Sequence, residues 1–249
     1  MKMIVLFFVP LLAGLIIFAA PKTRTSNFKL LLVFAGSYLF AITVIHILPE
    51  LYRQYQEVEL IGLFVLMGFF LQQFLEYFTS GVEHGHIHHD HSGHSHSHVQ
   101  SEISALVLLS ALCVHAFLEG GMVAQPAQAS FDYDVNAILF GIALHRAPAA
   151  FALMAVLSDQ LRSKRRAVPY LVVFSLAAPL GLFISEYLIE IDLLSDTGLI
   201  FLYALVSGNF LHISTTIVFE SSPEHHFNAK RLAVAIVGSL IAIAVEYIL

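Results

Sequence analysis

The sequence predicts an all-α membrane protein of eight transmembrane helices, on three observations. Hydrophobic residues make up 58% of its 249 positions and charged residues only 12%, against about 25% charged in a soluble domain. Eight apolar stretches each approach the roughly 20 residues needed to cross a hydrocarbon core. The connectors between them are short and polar: PKTRTSN, YRQYQE, a histidine run, PAQASFDYD, SDQLRSKRR, IDLLSD and SSPEHHFNAK. The mean hydropathy of +0.80 agrees. One cysteine, Cys113, excludes an internal disulfide. No phosphate loop, nucleotide fingerprint or basic stripe is present, so neither ATP nor nucleic acid is an expected partner.

The spans fall near 3–20, 28–51, 58–80, 101–125, 135–159, 167–190, 197–220 and 231–249. The first, with Lys2 before it and FAAPK after it, also fits a signal peptide. An uncleaved helix is the preferred reading, because cleavage would leave Lys22, Arg24 and Lys29 in an external tail. The second ends in HILPE and the third in QQFLEY. The fourth carries CVHAFLEGGMVAQ and the fifth ALHRAPAAFAL, where Pro148 is expected to kink the helix and free a carbonyl. The sixth holds FSLAAPLG, the seventh SGNFLHIS, and the eighth is apolar to residue 249. The chain reads as a single transmembrane domain over 1–249, with a cytoplasmic His-rich loop at 81–100.

Orientation follows from the cations in short loops. The first loop holds Lys22, Arg24 and Lys29, the fifth Arg162, Lys164, Arg165 and Arg166, and the seventh Lys230 and Arg231. The opposite loops hold Arg53 with the acids Glu57, Glu59, Asp132, Asp134, Glu190, Asp192 and Asp196. Both termini are therefore expected outside.

Residues 84–98 read HGHIHHDHSGHSHSH and contain eight of the fourteen histidines: His84, His86, His88, His89, His91, His94, His96 and His98. Neutral imidazole suits borderline cations such as zinc. The signal is compositional, so the run reads as a chelating or sensing loop rather than a defined site.

The apolar spans carry a sharper signal. His115 and Glu119 lie one helical turn apart on one face of the fourth span. The fifth span runs the opposite way and places His145 at a matching depth. An intramembrane carboxylate has to be protonated, paired or metal-bound. Two histidines and one carboxylate form a zinc-binding set with a fourth position open, so the predicted metal site lies between helices four and five. Arg146 points about 100° away from His145 around the helix and either pairs with a carboxylate or snorkels. Met122 shares the His115 face as a soft outer ligand or, more simply, as core. His46 and Glu50 at one end, and Glu76 and His212 toward the other, extend the set into an expected transport path. Each alone is more often an interfacial polar residue. Glu224, His225 and His226 follow beyond it.

These motifs resemble the ZIP family of zinc and iron transporters. HAFLEGGMVAQ is similar to that family's fourth-helix His-Ser-x-x-Glu-Gly pattern with a later Gln. ALHRAPAAFAL, HILPE, FSLAAPLG and SGNFLHIS resemble its fifth-, second-, sixth- and seventh-helix motifs. The resemblance covers nearly the whole chain. It implies eight helices, external termini, metal movement into the cytoplasm, and His115, Glu119 and His145 as primary metal ligands. It also marks departures. Ala149 and Ala178 stand where relatives carry acids that help hold a second metal, Ala116 replaces an Asn, and Arg146 is a cation at the second-metal position. A single-metal site is therefore expected, with His212, in place of a family Tyr, as an added inner ligand.

The expected activity is entry of zinc, or of Fe2+, Mn2+ or Cd2+, through a multi-pass protein of the plasma membrane, or of the inner membrane if bacterial. A homodimer is compatible with this. Two alternatives fit part of this pattern. An intramembrane zinc hydrolase has the ligands it needs but lacks a His-Glu-x-x-His motif and a spare carboxylate base. A cation-diffusion efflux carrier shares a His-rich loop but usually has six helices and a soluble tail.

Overall fold

A computed structural model of the chain describes residues 1–19, 25–79, 98–125, 135–220 and 229–248. Within them every element is helical. The helices are α1 (Lys2–Leu15), α2 (Thr25–Ile42), α3 (Leu48–Gln54), α4 (Val58–Thr79), α5 (His98–Met122), α6 (Val135–Gln160), α7 (Lys164–Glu190), α8 (Asp196–Glu220) and α9 (Ala229–Ile248). The π-helical turn Thr43–Ile47 joins α2 to α3 into one rod, so the described residues form eight helical rods. The fourth and fifth spans of the sequence are α5 and α6. His84 to His96, and Glu224, His225 and His226, lie outside the described residues, and of His98 only the backbone is described.

Among the described residues six segments are long and apolar enough to cross a membrane: Leu30–Gln54, Val58–Tyr77, Ala105–Met122, Val135–Gln160, Lys164–Glu190 and Asp196–Val218. Lys2–Phe18 is a shorter apolar helix. With no water in the hydrocarbon layer, only helices that satisfy their own N–H and C=O groups can occupy such spans, which is why apolar composition and helix coincide here. Local caps mark the turns. The Ser163 hydroxyl accepts a bond from the Arg166 N–H at the start of α7, and Ser195 one from Gly198 at the start of α8.

The rods associate in two groups. One contains α1, α5, α6 and α7; the other contains the α2–α3 rod, α4, α8 and α9. Glycines mediate close backbone approaches inside each group. A Cβ on Gly120 would clash with the Ala178 carbonyl, and one on Gly181 with the Phe117 carbonyl, so α5 and α7 touch along their backbones. Gly68 against the Leu205 carbonyl and Gly208 against the Val65 carbonyl do the same for α4 and α8. Small residues take this role because lipid tails are as apolar as leucine, so helix association depends on close packing rather than on burial from water.

Between the groups the contact is made by side chains. Tyr38 of α2 donates to the Ala137 carbonyl at 3.2 Å, and Tyr203 of α8 to the Ala124 carbonyl at 3.2 Å. An apolar cluster including Leu6, Tyr38, Ile138, Met122, Leu182 and Tyr203 fills the same boundary. The first helix is packed into its group, with Leu6, Pro10 and Gly14 buried. The Lys2 ammonium donates to the Val123 carbonyl at 3.1 Å, a cation at the carbonyl end of α5.

The second span departs from the regular helix its sequence suggests. The π-turn at Thr43–Ile47 adds a residue to the local winding just before Pro49. Proline supplies no N–H for the preceding turn, and single π-turns of this kind frequently occur at functional positions.

Candidate metal centre

His115 and Glu119 project from one face of α5, and His145 from α6. Their exposures are 3%, 0% and 1%, so all three are withdrawn from solvent and lipid. One ligand atom from each lies within 4.8 Å of the others. The imidazole rings of His115 and His145 are 6.0 Å apart between centroids and nearly perpendicular, at 88°. His115 Nε2 is 3.0 Å from Glu119 Oε1. The helix period produces the first half of this arrangement, since residues four apart stack on one face. Antiparallel packing of α6 produces the second.

The donor set fits a borderline divalent cation: two imidazole nitrogens and one carboxylate oxygen, with a fourth position free. Donors about 2.0–2.2 Å from one zinc ion sit closer together than the widest separation seen here. A modest inward rotation of the side chains would close the set.

Arg146 resolves the choice left open by its position on the helix. It is 1% exposed and turns inward rather than snorkelling. Its Nη1 donates to Glu119 Oε2 at 3.3 Å and its Nη2 to the Phe174 carbonyl at 3.1 Å. The guanidinium also lies over the Phe174 ring, 4.6 Å from its centroid. Glu119 is thus shared, one oxygen toward His115 and the other toward Arg146. Helix spacing locates the cation but not its partner, because adjacent residues on a helix do not face the same way and α7 decides where Arg146 can go.

The surroundings are small and tightly packed. Ala149 and Ala178 are 5% and 0% exposed, and each belongs to an apolar cluster. Ala116 is likewise fully buried. Pro148 sits inside α6, which continues through it as one helix to Gln160. Having no N–H, it leaves the Leu144 carbonyl, next to His145, without its helical donor.

The remaining expected path residues are spread out. Met122 is fully buried in the apolar cluster between the groups. His46 is 7% exposed and lies within the π-turn. Glu50 is held locally, accepting from Gln54 at 2.6 Å and pairing with Arg53 at 3.0 Å. Glu76 of α4 and His212 of α8 come together, with Oε2 and Nε2 2.6 Å apart. Asn209, which the sequence reading passed over, is 0% exposed on α8. The signal for it was present in SGNFLHIS: an amide one turn before a histidine within an apolar helix.

The fold and site together define a multi-pass helical membrane protein with a buried nitrogen and oxygen donor set at a helix–helix contact. The family model described as ZIP Zinc transporter matches residues 82–245. The chain belongs to this family. Among curated proteins, "Zinc transporter ZIP9-A" of Xenopus laevis is 32% identical over 165 residues, covering 62% of this chain and 50% of the relative. "Zinc transporter ZIP9" of Micropogonias undulatus is 31% identical over 166 residues, 62% and 49% respectively. That of Macaca fascicularis is 38% identical over 114 residues, 42% and 46% respectively. The chain spans about half the length of the curated relatives it matches.

Proposed function

We propose that this protein carries zinc, or a similar divalent transition metal, across the membrane into the cytoplasm through one site formed by His115, Glu119 and His145. The observation that carries this reading is the convergence of those three donors, from two helices, in a fully buried position. Zinc as cargo is favoured by the names of the relatives. Fe2+, Mn2+ and Cd2+ suit the same donors. The apolar stretches support eight spans and the loop cations support both termini outside; the plasma membrane, or the inner membrane if bacterial, is the inferred location.

One ion per site is favoured because the neighbouring positions hold a cation and two alanines. Arg146 is bonded to Glu119, and Ala149 and Ala178 offer no oxygen donor. Movement of one helix group against the other would expose the centre alternately to each side. The glycine-locked contacts within each group and the side-chain contacts between them suit such a division. No ATP motif is present in the sequence, so the gradient of the ion, or of protons, is the driving force. His46 and Glu50 near the outer mouth, Met122 beside the centre, and Glu76 and His212 toward the inner side complete the path. Metal release frees donors that protons can occupy, so transport is sensitive to pH.

The test is zinc uptake into vesicles reconstituted with the full chain. A His115→Ala, Glu119→Ala double variant is expected to abolish uptake while the protein still inserts. Undiminished uptake by that variant rejects the site. Lipid or peptide hydrolysis without metal flux would instead favour an intramembrane hydrolase.

A further inference from the structure

A second polar cluster lies in the other helix group, where α4 and α8 meet. The two helices run parallel. Phe64 stacks flat on Phe201 with centroids 4.3 Å apart, Gly68 abuts the Leu205 carbonyl, and further along Phe69 lies edge-on to His212 at 4.8 Å. At the far end Glu76 meets His212. The same register step sets Gln72 level with Asn209, and on α8 the residues 201, 205, 208, 209 and 212 form one stripe at helical spacing. Asn209 therefore lies on the α4-facing stripe, one turn before His212.

Asn209 is fully buried, and neither its Oδ1 nor its Nδ2 has a hydrogen-bond partner among the described residues. His212 Nδ1 also has none. A buried amide left unbonded carries the full desolvation cost of its polar atoms, and native structures rarely tolerate this without a reason. A neighbour that can bind an oxygen donor removes that cost.

We propose that Glu76, His212 and Asn209 form a second divalent-cation site, a hand-off site on the helix group that does not contain the central donors. This rests on the reading of His115, Glu119 and His145 as a metal centre. An imidazole nitrogen, a carboxylate oxygen and a carboxamide oxygen are all ligands for borderline cations. Glu76 and His212 are hydrogen-bonded to each other. An entering ion replaces that bond, with each donor about 2.0–2.2 Å away, and the pair opens by under about 1 Å. With two strong donors rather than three, the site holds an ion more weakly than the centre and releases it readily. The side chains of His212 and Glu76 are 8% and 19% exposed, sheltered yet reachable. Glycine-to-carbonyl packing fixes α4 against α8, so the site stays in place while the other group moves past it. Both residues fall in the C-terminal halves of parallel helices, the side to which the proposed direction delivers the ion.

The experiment is anomalous diffraction from crystals of the full chain soaked in Cd2+. Two peaks are expected, one at His115, Glu119 and His145 and one between Glu76 and His212. In His212→Phe the second peak disappears, the first remains as the control for folding, and vesicle uptake falls about tenfold. Asn209→Leu lowers the second peak's occupancy without removing the pair. A filled centre with an empty seam overturns the hand-off site, as does a seam peak that survives in the Glu76→Gln, His212→Phe double variant. A filled seam with an empty centre keeps this site and rejects the central one. Crystals with neither peak reject both.

Discussion

Replacing Arg146 with methionine isolates what the buried cation does. In the parent, Glu119 is 0% exposed and holds Arg146 at 3.3 Å on one oxygen and His115 at 3.0 Å on the other. Arg146→Met keeps much of the volume but removes the cation, its bond to the Phe174 carbonyl and its stacking on the Phe174 ring. Breaking a buried ion pair by deleting one partner costs about 3–5 kcal/mol, because the remaining charge is left uncompensated. On soluble-domain scaling, 1 kcal/mol is about 2–4 °C of Tm at this chain length. The empty variant should therefore melt roughly 6–20 °C below the parent. Zinc should restore much of this loss, since the ion supplies positive charge to the same carboxylate. In the parent, zinc at one hundred times Kd adds about 2.7 kcal/mol; in the variant the gain should be larger, because binding also relieves the bare carboxylate. The assay is thermal unfolding of detergent-solubilised protein, with and without zinc, for the parent, Arg146→Met, Glu119→Gln and the double variant. The double variant should be more stable than the sum of the single losses predicts, the mark of coupled residues. An Arg146→Met protein with the parent's melting temperature and zinc shift would refute the ion-pair reasoning.

Three further outcomes are expected. His145→Ala removes the only donor contributed by α6, so zinc affinity, measured by competition uptake, should fall at least about tenfold while the Glu119–Arg146 pair keeps the fold intact. Gly120→Ala forces a methyl group against the Ala178 carbonyl and should cost about 1–3 kcal/mol or more by overpacking, whereas Gly62→Ala, with nothing within 4 Å, should be near neutral; melting temperatures of the two compare them directly. Uptake should decline as the external pH falls, because imidazole must be neutral to bind metal and protons compete for it; a pH profile of initial rates that stays flat down to pH 5 contradicts histidine ligation.

Much of this protein is written in its sequence, for a physical reason. A bilayer permits only elements that satisfy their own backbone, so apolar length converts almost directly into helix, and the eight apolar stretches read from the chain fall on helical rods, six of them long and apolar enough to span among the described residues. The period of 3.6 then fixes His115 and Glu119 on one face, and the rarity of a buried carboxylate singles out Glu119. Matching depth on antiparallel neighbours brings in His145. Other features arise only from packing between distant segments. The partner of Arg146 was open until α7 set the Phe174 carbonyl and ring beside it. The π-turn at Thr43–Ile47 has no periodic signature, because it shifts the winding by a single residue. Met122, on the His115 face by spacing, shares an apolar cluster with Leu182 and Tyr203, a contact the spacing does not show. The division into two groups depends on which glycines meet which carbonyls, a matter of contact between residues as far apart as Gly68 and Leu205. So the sequence determined the helices and the donors, because both follow from short-range periodicity and the cost of burying polar groups in lipid. The tertiary structure decided that His115, Glu119 and His145 converge, that Arg146 pairs with Glu119, and that Glu76 meets His212, because those depend on how α4, α6, α7 and α8 approach their neighbours.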